Sequence, residues 1–174
     1  MSNVFLLAGN SPSIKSSTAT LTNSQILSLP STPFVMVSSA GTGNAILPIM
    51  AYVKSNITGA YTNIGNNCIV AFDYIVAAPD FAEIFNDLSV GTSPVNDLLT
   101  SNRIFNLGYM PFNPYSTSLN GYCATERTES GSNLNLYLSV YNDNGAGFSN
   151  LGNFTGGNSS NTLKVTMFYV IVNV

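Results

Sequence analysis

The stretch that decides the fold is NLNLYLSVY, residues 133–141, in which an apolar residue occupies every second position. One face of this stretch, in an extended conformation, carries Leu134, Leu136, Leu138 and Val140. The other face is polar or tyrosine-bearing, and this period of two predicts a half-buried β-strand. Asn142–Gly145 follows directly, and its Asn-Gly pair is a strong signal for a tight turn.

The same period recurs along the chain and predicts further strands at 34–38, 45–54, 68–77 and 163–172. Pro48 interrupts one of them, so we expect a bulge or an edge position there. Helix is limited to 80–88, where Asp80 and Glu83 have capping-box spacing, and to a short turn over 93–99. This pattern predicts an all-β fold, an antiparallel β-sandwich with one or two short helices, and we expect a jelly roll.

The last of these strands, 163–172, is unusual because its second half is apolar on both faces. Such a strand is either covered twice within its own domain or has one face against a neighbouring chain. We therefore take Phe168, Val170 and Val172 as candidate interface residues, and we expect a homo-oligomer.

Length and composition predict one domain, which we divide into an N-terminal arm over 1–25 and a single jelly-roll domain over 26–174. The apolar stretch from Val4 to Ala8 is too short for the core of a signal peptide. No apolar run is long enough to cross a membrane as a helix. The five cationic residues form no basic stripe, so we expect no nucleic-acid partner.

Side chains suited to catalysis are scarce in this chain, which has no His and only 7% charged residues. No imidazole can serve as a base for Ser or Cys, and the acids show no recognisable catalytic pair. We therefore expect a protein that is not an enzyme, with no catalytic residues, no cofactor and no metal site. Asp73 is either a buried acid or, as we favour, outward-facing or paired. Cys68 and Cys123 could pair, but we favour two small core residues.

An aromatic segment offers an alternative function. Tyr109, Phe112, Tyr115 and Tyr122 lie close together in the sequence, with prolines between them. They either form a platform for a glycan or a partner protein, or fold onto the end of the sandwich. The first possibility describes a carbohydrate- or receptor-binding β-sandwich module.

Two parts of the chain resemble a known family. The first is Leu29–Val37 followed by Ala40–Pro48, which combines a proline, an apolar strand, Gly-x-Gly and a second apolar strand. The second is Leu138–Tyr141, a glycine-rich loop and the strand Thr162–Val170. Both are similar to the small β-sandwich structural proteins of tailed bacteriophages. The resemblance covers about residues 25–174 and is weakest over the middle, 80–130.

The resemblance implies a virion component of the capsid-decoration, head-fibre or tail-associated type, commonly a homotrimer. It implies contacts with other virion proteins and allows a further contact with a glycan or receptor on the host surface. The location it implies is the virion, after synthesis in the host cytoplasm. It supplies no catalytic residues, and it suggests that the N-terminal arm docks the protein to the particle.

Overall fold

The computed structural model describes residues 13–66, 68–74, 98–108, 133–142 and 151–173. Its regular elements follow one another as β1 (Lys15–Thr22), α1 (Asn23–Ser28), β2 (Phe34–Val37), β3 (Asn44–Asn56), β4 (Tyr61–Thr62), β5 (Ile69–Asp73), β6 (Ile104–Gly108), β7 (Leu136–Tyr141), β8 (Thr155–Gly156) and β9 (Thr162–Asn173). Residues 98–100 add a short helical turn.

The strands form two main sheets. A four-stranded sheet has the order β1-β9-β3-β6, and a three-stranded sheet has the order β2-β7-β5. All pairings in both sheets are antiparallel. The short strands β4 and β8 pair separately. Apart from these two, each strand lies in the opposite sheet from the strand described before it, so the chain repeatedly crosses between the layers.

The core lies between the two main sheets. Strand β7 contributes alternate residues, with Leu136, Leu138 and Val140 all buried. From the four-stranded sheet, Val165 and Met167 of β9 enter the same apolar cluster. Burying one such side chain contributes about 1.5–3 kcal/mol. This shared core confirms the all-β antiparallel sandwich that the alternation predicts.

The irregularity expected at Pro48 is a β-bulge. Pro48 lies opposite Tyr169, whereas Met50 lies opposite Phe168, so Ile49 is an extra residue with no counterpart on β9. A bulge suits proline because the ladder is already interrupted there. Because of the extra residue, the outward-facing positions of β3 change from odd to even residue numbers. Leu47 faces outward before the bulge, and Met50 faces outward after it.

Part of the expected N-terminal arm belongs to the sandwich. All of β1, Lys15–Thr22, pairs with β9 at the edge of the four-stranded sheet. The Ser17 hydroxyl donates a hydrogen bond to the carbonyl of Met36 in β2, at 2.7 Å, which links this edge to the other sheet. The boundary placed after residue 25 falls inside α1, so the structure attaches 15–25 to the domain.

Several sequence predictions concern residues that the structure does not describe. The predicted helix at 80–88 and the segment 75–77 of one predicted strand lie outside the described residues, as does the turn at 142–145 beyond Asn142. Cys68 is buried in the core, and its possible partner Cys123 lies outside the described residues. Asp73 is the last residue of β5 and pairs with Tyr137. The structure describes its backbone but not its side chain.

Candidate interaction face

The candidate site is the outer face of the four-stranded sheet, the face turned away from the three-stranded sheet. Side chains directly opposite each other in an antiparallel pair point to the same face. Phe168 lies opposite Met50, and both alternate with the buried pair Met167 and Ala51. Val170 lies opposite Leu47 by the same register. Phe168, Met50, Val170 and Leu47 therefore point outward.

These outward residues form an apolar patch. Its members are Leu47, Met50, Tyr52, Phe168 and Val170. Leu47 is 44% exposed and Tyr52 39% exposed, and the other three are half-buried. The rings of Tyr52 and Phe168 meet edge to face, with centroids 6.0 Å apart and planes at 88°. This geometry is a favourable aromatic pair and holds the centre of the patch in one arrangement.

A cationic end adjoins the apolar patch along the same strands. Lys54 of β3 and Lys164 of β9 lie directly opposite each other, and both are exposed. Ile104, 70% exposed, lies opposite Lys54 on the other side. Arg103, also exposed, precedes Ile104; its carbonyl accepts a hydrogen bond from the Ser55 N–H, and its own N–H donates to the Ser55 hydroxyl. Like charges directly opposite each other across a strand pair are destabilising, so this arrangement needs a reason.

The three residues predicted for an interface, Phe168, Val170 and Val172, lie at alternate positions of β9, and all three are half-buried. Phe168 and Val170 lie in the apolar patch. Val172, two residues beyond Val170 on β9, lies opposite Ala45, which is 6% exposed. The aromatic candidates of the alternative function, Tyr109, Phe112, Tyr115 and Tyr122, lie outside the described residues.

The β3 half of the patch was not predicted from the sequence. Leu47, Met50 and Tyr52 do not share one parity in the sequence, because the bulge separates Leu47 from the other two. A strict period of two therefore hides them. The proline that signals the bulge is the clue that would have revealed them, since an extra residue after Pro48 restores a common outward face.

Other chemistry is sparse among the described residues. Within these ranges, no three side chains of His, Cys, Asp or Glu come together as possible metal ligands. Burial raises the pKa of Tyr61, and a hydrogen bond with Asn161 opposes this shift. The Tyr61 hydroxyl donates a hydrogen bond to Oδ1 of Asn23 at 2.7 Å, so this side chain has a structural role. Within the described part of the chain, no helix has the length and apolarity needed to cross a membrane.

Comparison of the chain with protein-family models, with curated proteins and with solved structures finds no match.

Proposed function

We propose that this protein is a non-enzymatic structural component of a bacteriophage virion that assembles with copies of itself, as a homotrimer, through the outer face of the four-stranded sheet. The observation that carries self-assembly is the apolar patch. Contiguous exposed apolar surface on a folded domain marks an interaction site. An aromatic pair at its centre fits this role, since aromatic side chains are enriched in protein interfaces.

The strand order supports the virion assignment. A jelly roll consists of two sheets built from eight strands that cross between the layers, and viral capsid proteins are among its principal users. Among the described residues, seven strands are distributed over two sheets with the orders β1-β9-β3-β6 and β2-β7-β5. The repeated crossing between sheets is what a jelly roll requires. The family resemblance of the two ends of the chain points to the same class.

Composition agrees with an assembling protein. Only 7% of residues are charged, so electrostatic repulsion between copies is weak. The patch itself contains no charged residue. An interface of this kind gains from apolar burial without a large cost of desolvating ions.

The native mass across a dilution series tests the assembly. We expect the wild-type protein to be a trimer, and Val170→Lys to be a folded monomer, because a lysine there places an ammonium group in the centre of the contact. Val35→Lys is a matched control, since Val35 is 42% exposed on a strand of the other sheet. Wild-type protein that is monomeric at all concentrations contradicts self-assembly, whereas a Val170→Lys oligomer of unchanged mass contradicts the choice of this face as the interface.

The virion assignment has its own test. Mass spectrometry of purified particles from the phage whose genome encodes the chain should detect the protein at a constant copy number per particle. Absence from the particles, or a coding gene outside any phage or prophage, contradicts the assignment and leaves the assembly result standing.

A further inference from the structure

Strand β1 is an edge strand that carries none of the usual protections against pairing with a further strand. Among the described residues it pairs with β9 alone, in one uninterrupted register from Lys15 to Thr22. It contains no proline, no glycine and no bulge, and its one charged residue, Lys15, stands at its beginning. The other described edge strands, β2, β5 and β6, have only four or five residues. A long and regular edge of this kind is a template for strand addition.

The hydrogen bonds of the sheet show which backbone groups of β1 point away from β9. Opposed residues of an antiparallel pair alternate between those that exchange two hydrogen bonds and those that exchange none. Thr22 is of the second kind, because its N–H donates to Oε1 of Gln25 at 2.9 Å. Thr20, Thr18 and Ser16 share its parity in the register with β9. Their N–H and C=O groups therefore point to the outer edge of the sheet.

Two further contacts agree with this assignment. On the other side of β9, the Ser55 N–H donates to the carbonyl of Arg103 and is thus turned away from Leu163, the residue opposite Ser55. The backbone groups of successive residues in a central strand alternate sides, so those of Leu163 point to β1. The hydroxyls of Thr18 and Thr166 are 3.0 Å apart, which fits the closer side chains of a pair without backbone hydrogen bonds. Both contacts place the hydrogen bonds to β9 at the odd-numbered residues of β1.

We infer that the β1 edge binds the β1 edge of a second copy, antiparallel and across a two-fold axis at Thr18, so that two four-stranded sheets become continuous. This contact goes beyond the proposed function and does not depend on it, because its hydrogen bonds lie in the plane of the sheet and leave the outer face unused. An axis at Thr18 pairs every residue from Lys15 to Leu21. It ends before Thr22, whose N–H is already bonded to Gln25.

The side chains at the centre of β1 suit this register. Thr18 lies opposite Thr18 of the second copy, and Ser16 lies opposite Thr20, so hydroxyl-bearing residues meet on the outer side of the new pair. Cross-strand pairs of this kind stabilise a sheet through their hydroxyls. Ser17 and Ala19 meet on the inner side, where small side chains allow the two sandwiches to approach closely.

The ends of the contact avoid a conflict of charge. Lys15 lies opposite Leu21 of the second copy, so the two lysines stand at opposite ends of the paired strands. A single pair of strands is a small contact, so copies joined by it alone dissociate on dilution. The proposed trimer would carry three such edges, and several contacts formed together bind more strongly than one. The edge contact therefore joins trimers into larger assemblies at high protein concentration.

Residue-resolved hydrogen exchange by NMR tests the contact on the full chain, in dilute and in concentrated solution. The amides of Ser17 and Ala19 bond to β9 and should be protected in both. Those of Thr18 and Thr20 should exchange rapidly in dilute solution and at least about tenfold more slowly in concentrated solution. Rapid exchange of both amides at every concentration overturns the inference. Strong protection of Thr18 in dilute monomer shows that its own chain pairs with the edge, which also overturns it.

Thr18→Pro removes the contact while sparing the fold, because the lost N–H points away from β9 and proline is tolerated on an edge strand in that orientation. Two hydrogen bonds disappear at the axis, so the dissociation constant for association between oligomers should rise at least about tenfold in sedimentation equilibrium. Thr18→Val is the matched control, since it also loses the hydroxyl contact with Thr166 but keeps the N–H. We expect it to stay within about twofold of the wild type. Equal effects of the two variants overturn the inference.

Thr18→Lys is a second variant that leaves the backbone of β1 unchanged. It places two ammonium groups opposite each other at the axis, so the same association should weaken several-fold. An unchanged dissociation constant overturns the inference. The edge contact and the proposed trimer also fail separately. Thr18→Lys should leave the native mass of the trimer unchanged, and Val170→Lys should keep the concentration-dependent protection of Thr18. A stable trimer without that protection overturns the edge contact alone, and protection without a trimer overturns the proposed outer-face interface alone.

Discussion

At the residue scale, buried asparagines replace the charged residues that this chain lacks. Asn161 is fully buried, and its side-chain oxygen accepts hydrogen bonds from the backbone N–H groups of Thr58 and Gly59. Asn142 is equally buried, accepts from the N–H of Gly65 and donates to the carbonyls of Asn63 and Gly152. Buried polar groups are stable when hydrogen-bonded in this way. Uncharged amides thus fix the loops without the desolvation cost of ions.

Among the glycines that the structure describes, Gly157 leaves the least room for a side chain. Its φ is +76°, and a Cβ there would lie 2.5 Å from Cε1 of Tyr61 and 2.7 Å from Oδ1 of Asn23. We expect Gly157→Ala to lower the free energy of unfolding by about 3 kcal/mol, because backbone strain and overpacking add. Gly152→Ala is the control, with φ +81° and no atom within 4 Å of the new Cβ. It should cost about 1 kcal/mol, through strain alone. Equal losses in urea denaturation would refute the packing role.

The ionisation of Tyr61, a neighbour of Gly157, makes the stability of the fold depend on pH. Burial raises its pKa above the ordinary value of 10.0, so the folded state holds this proton more tightly than the unfolded state. The resulting stability is fully present below pH 10.0 and is lost as pH rises through the folded pKa. We expect wild-type protein to lose more unfolding free energy between about pH 9 and pH 11 than Tyr61→Phe, which lacks the ionisable hydroxyl. Parallel pH profiles of the two proteins in urea denaturation would contradict this.

At the element scale, the alternation of apolar and polar residues predicted the strands that have one apolar and one polar face. It missed strands such as β1, whose conformation depends on hydrogen bonding to a neighbouring strand. Strand β7 is found where LYLSVY alternates, and the bulge is found at Pro48. Strand β1 was missed because its sequence, KSSTATLT, is mostly polar and exposed, and only Leu21 is buried. Its extended conformation comes from hydrogen bonding to β9, which no local pattern encodes. Only the β9 residues of the outer face were predicted, because the alternation between inward and outward residues of β3 shifts by one position at the bulge.

Helix α1 was missed although its signal is present. Thr22 and Gln25 have the spacing of a capping box, and the Thr22 N–H donates to Oε1 of Gln25 at 2.9 Å. The helix has only six residues, too few to be stable by itself. Its stability therefore comes from tertiary contacts, and its one fully buried side chain is Ile26.

This dependence gives a prediction for Ile26→Ala. Removing a fully buried isoleucine should cost about 2–5 kcal/mol of unfolding free energy, through lost burial and the cavity left behind. Ser24→Ala is a control on the exposed side of the same helix, and we expect it to change stability by less than about 0.5 kcal/mol. Chemical denaturation measures both. A loss below about 1 kcal/mol for Ile26→Ala would show that α1 is not anchored through this residue.

At the scale of the whole molecule, the described part of the sandwich combines a main core with the apolar outer patch, and we expect the two to respond differently to substitution. Changes in the core lower the stability of each chain. Changes in the patch should leave the single chain folded, because Leu47 and Tyr52 are already exposed in it. This distinction separates residues needed for folding from residues needed for assembly.

The distinction predicts how thermal stability depends on protein concentration. If copies associate in the folded state only, mass action raises Tm as concentration increases. We expect wild-type Tm to rise by several degrees over a hundredfold increase in concentration, and Tm of Val170→Lys to stay constant, in differential scanning calorimetry. At the lowest concentration, where the wild type is dissociated, the two Tm values should converge. A Val170→Lys Tm that remains well below the wild type there would place Val170 in the folding core instead of the interface.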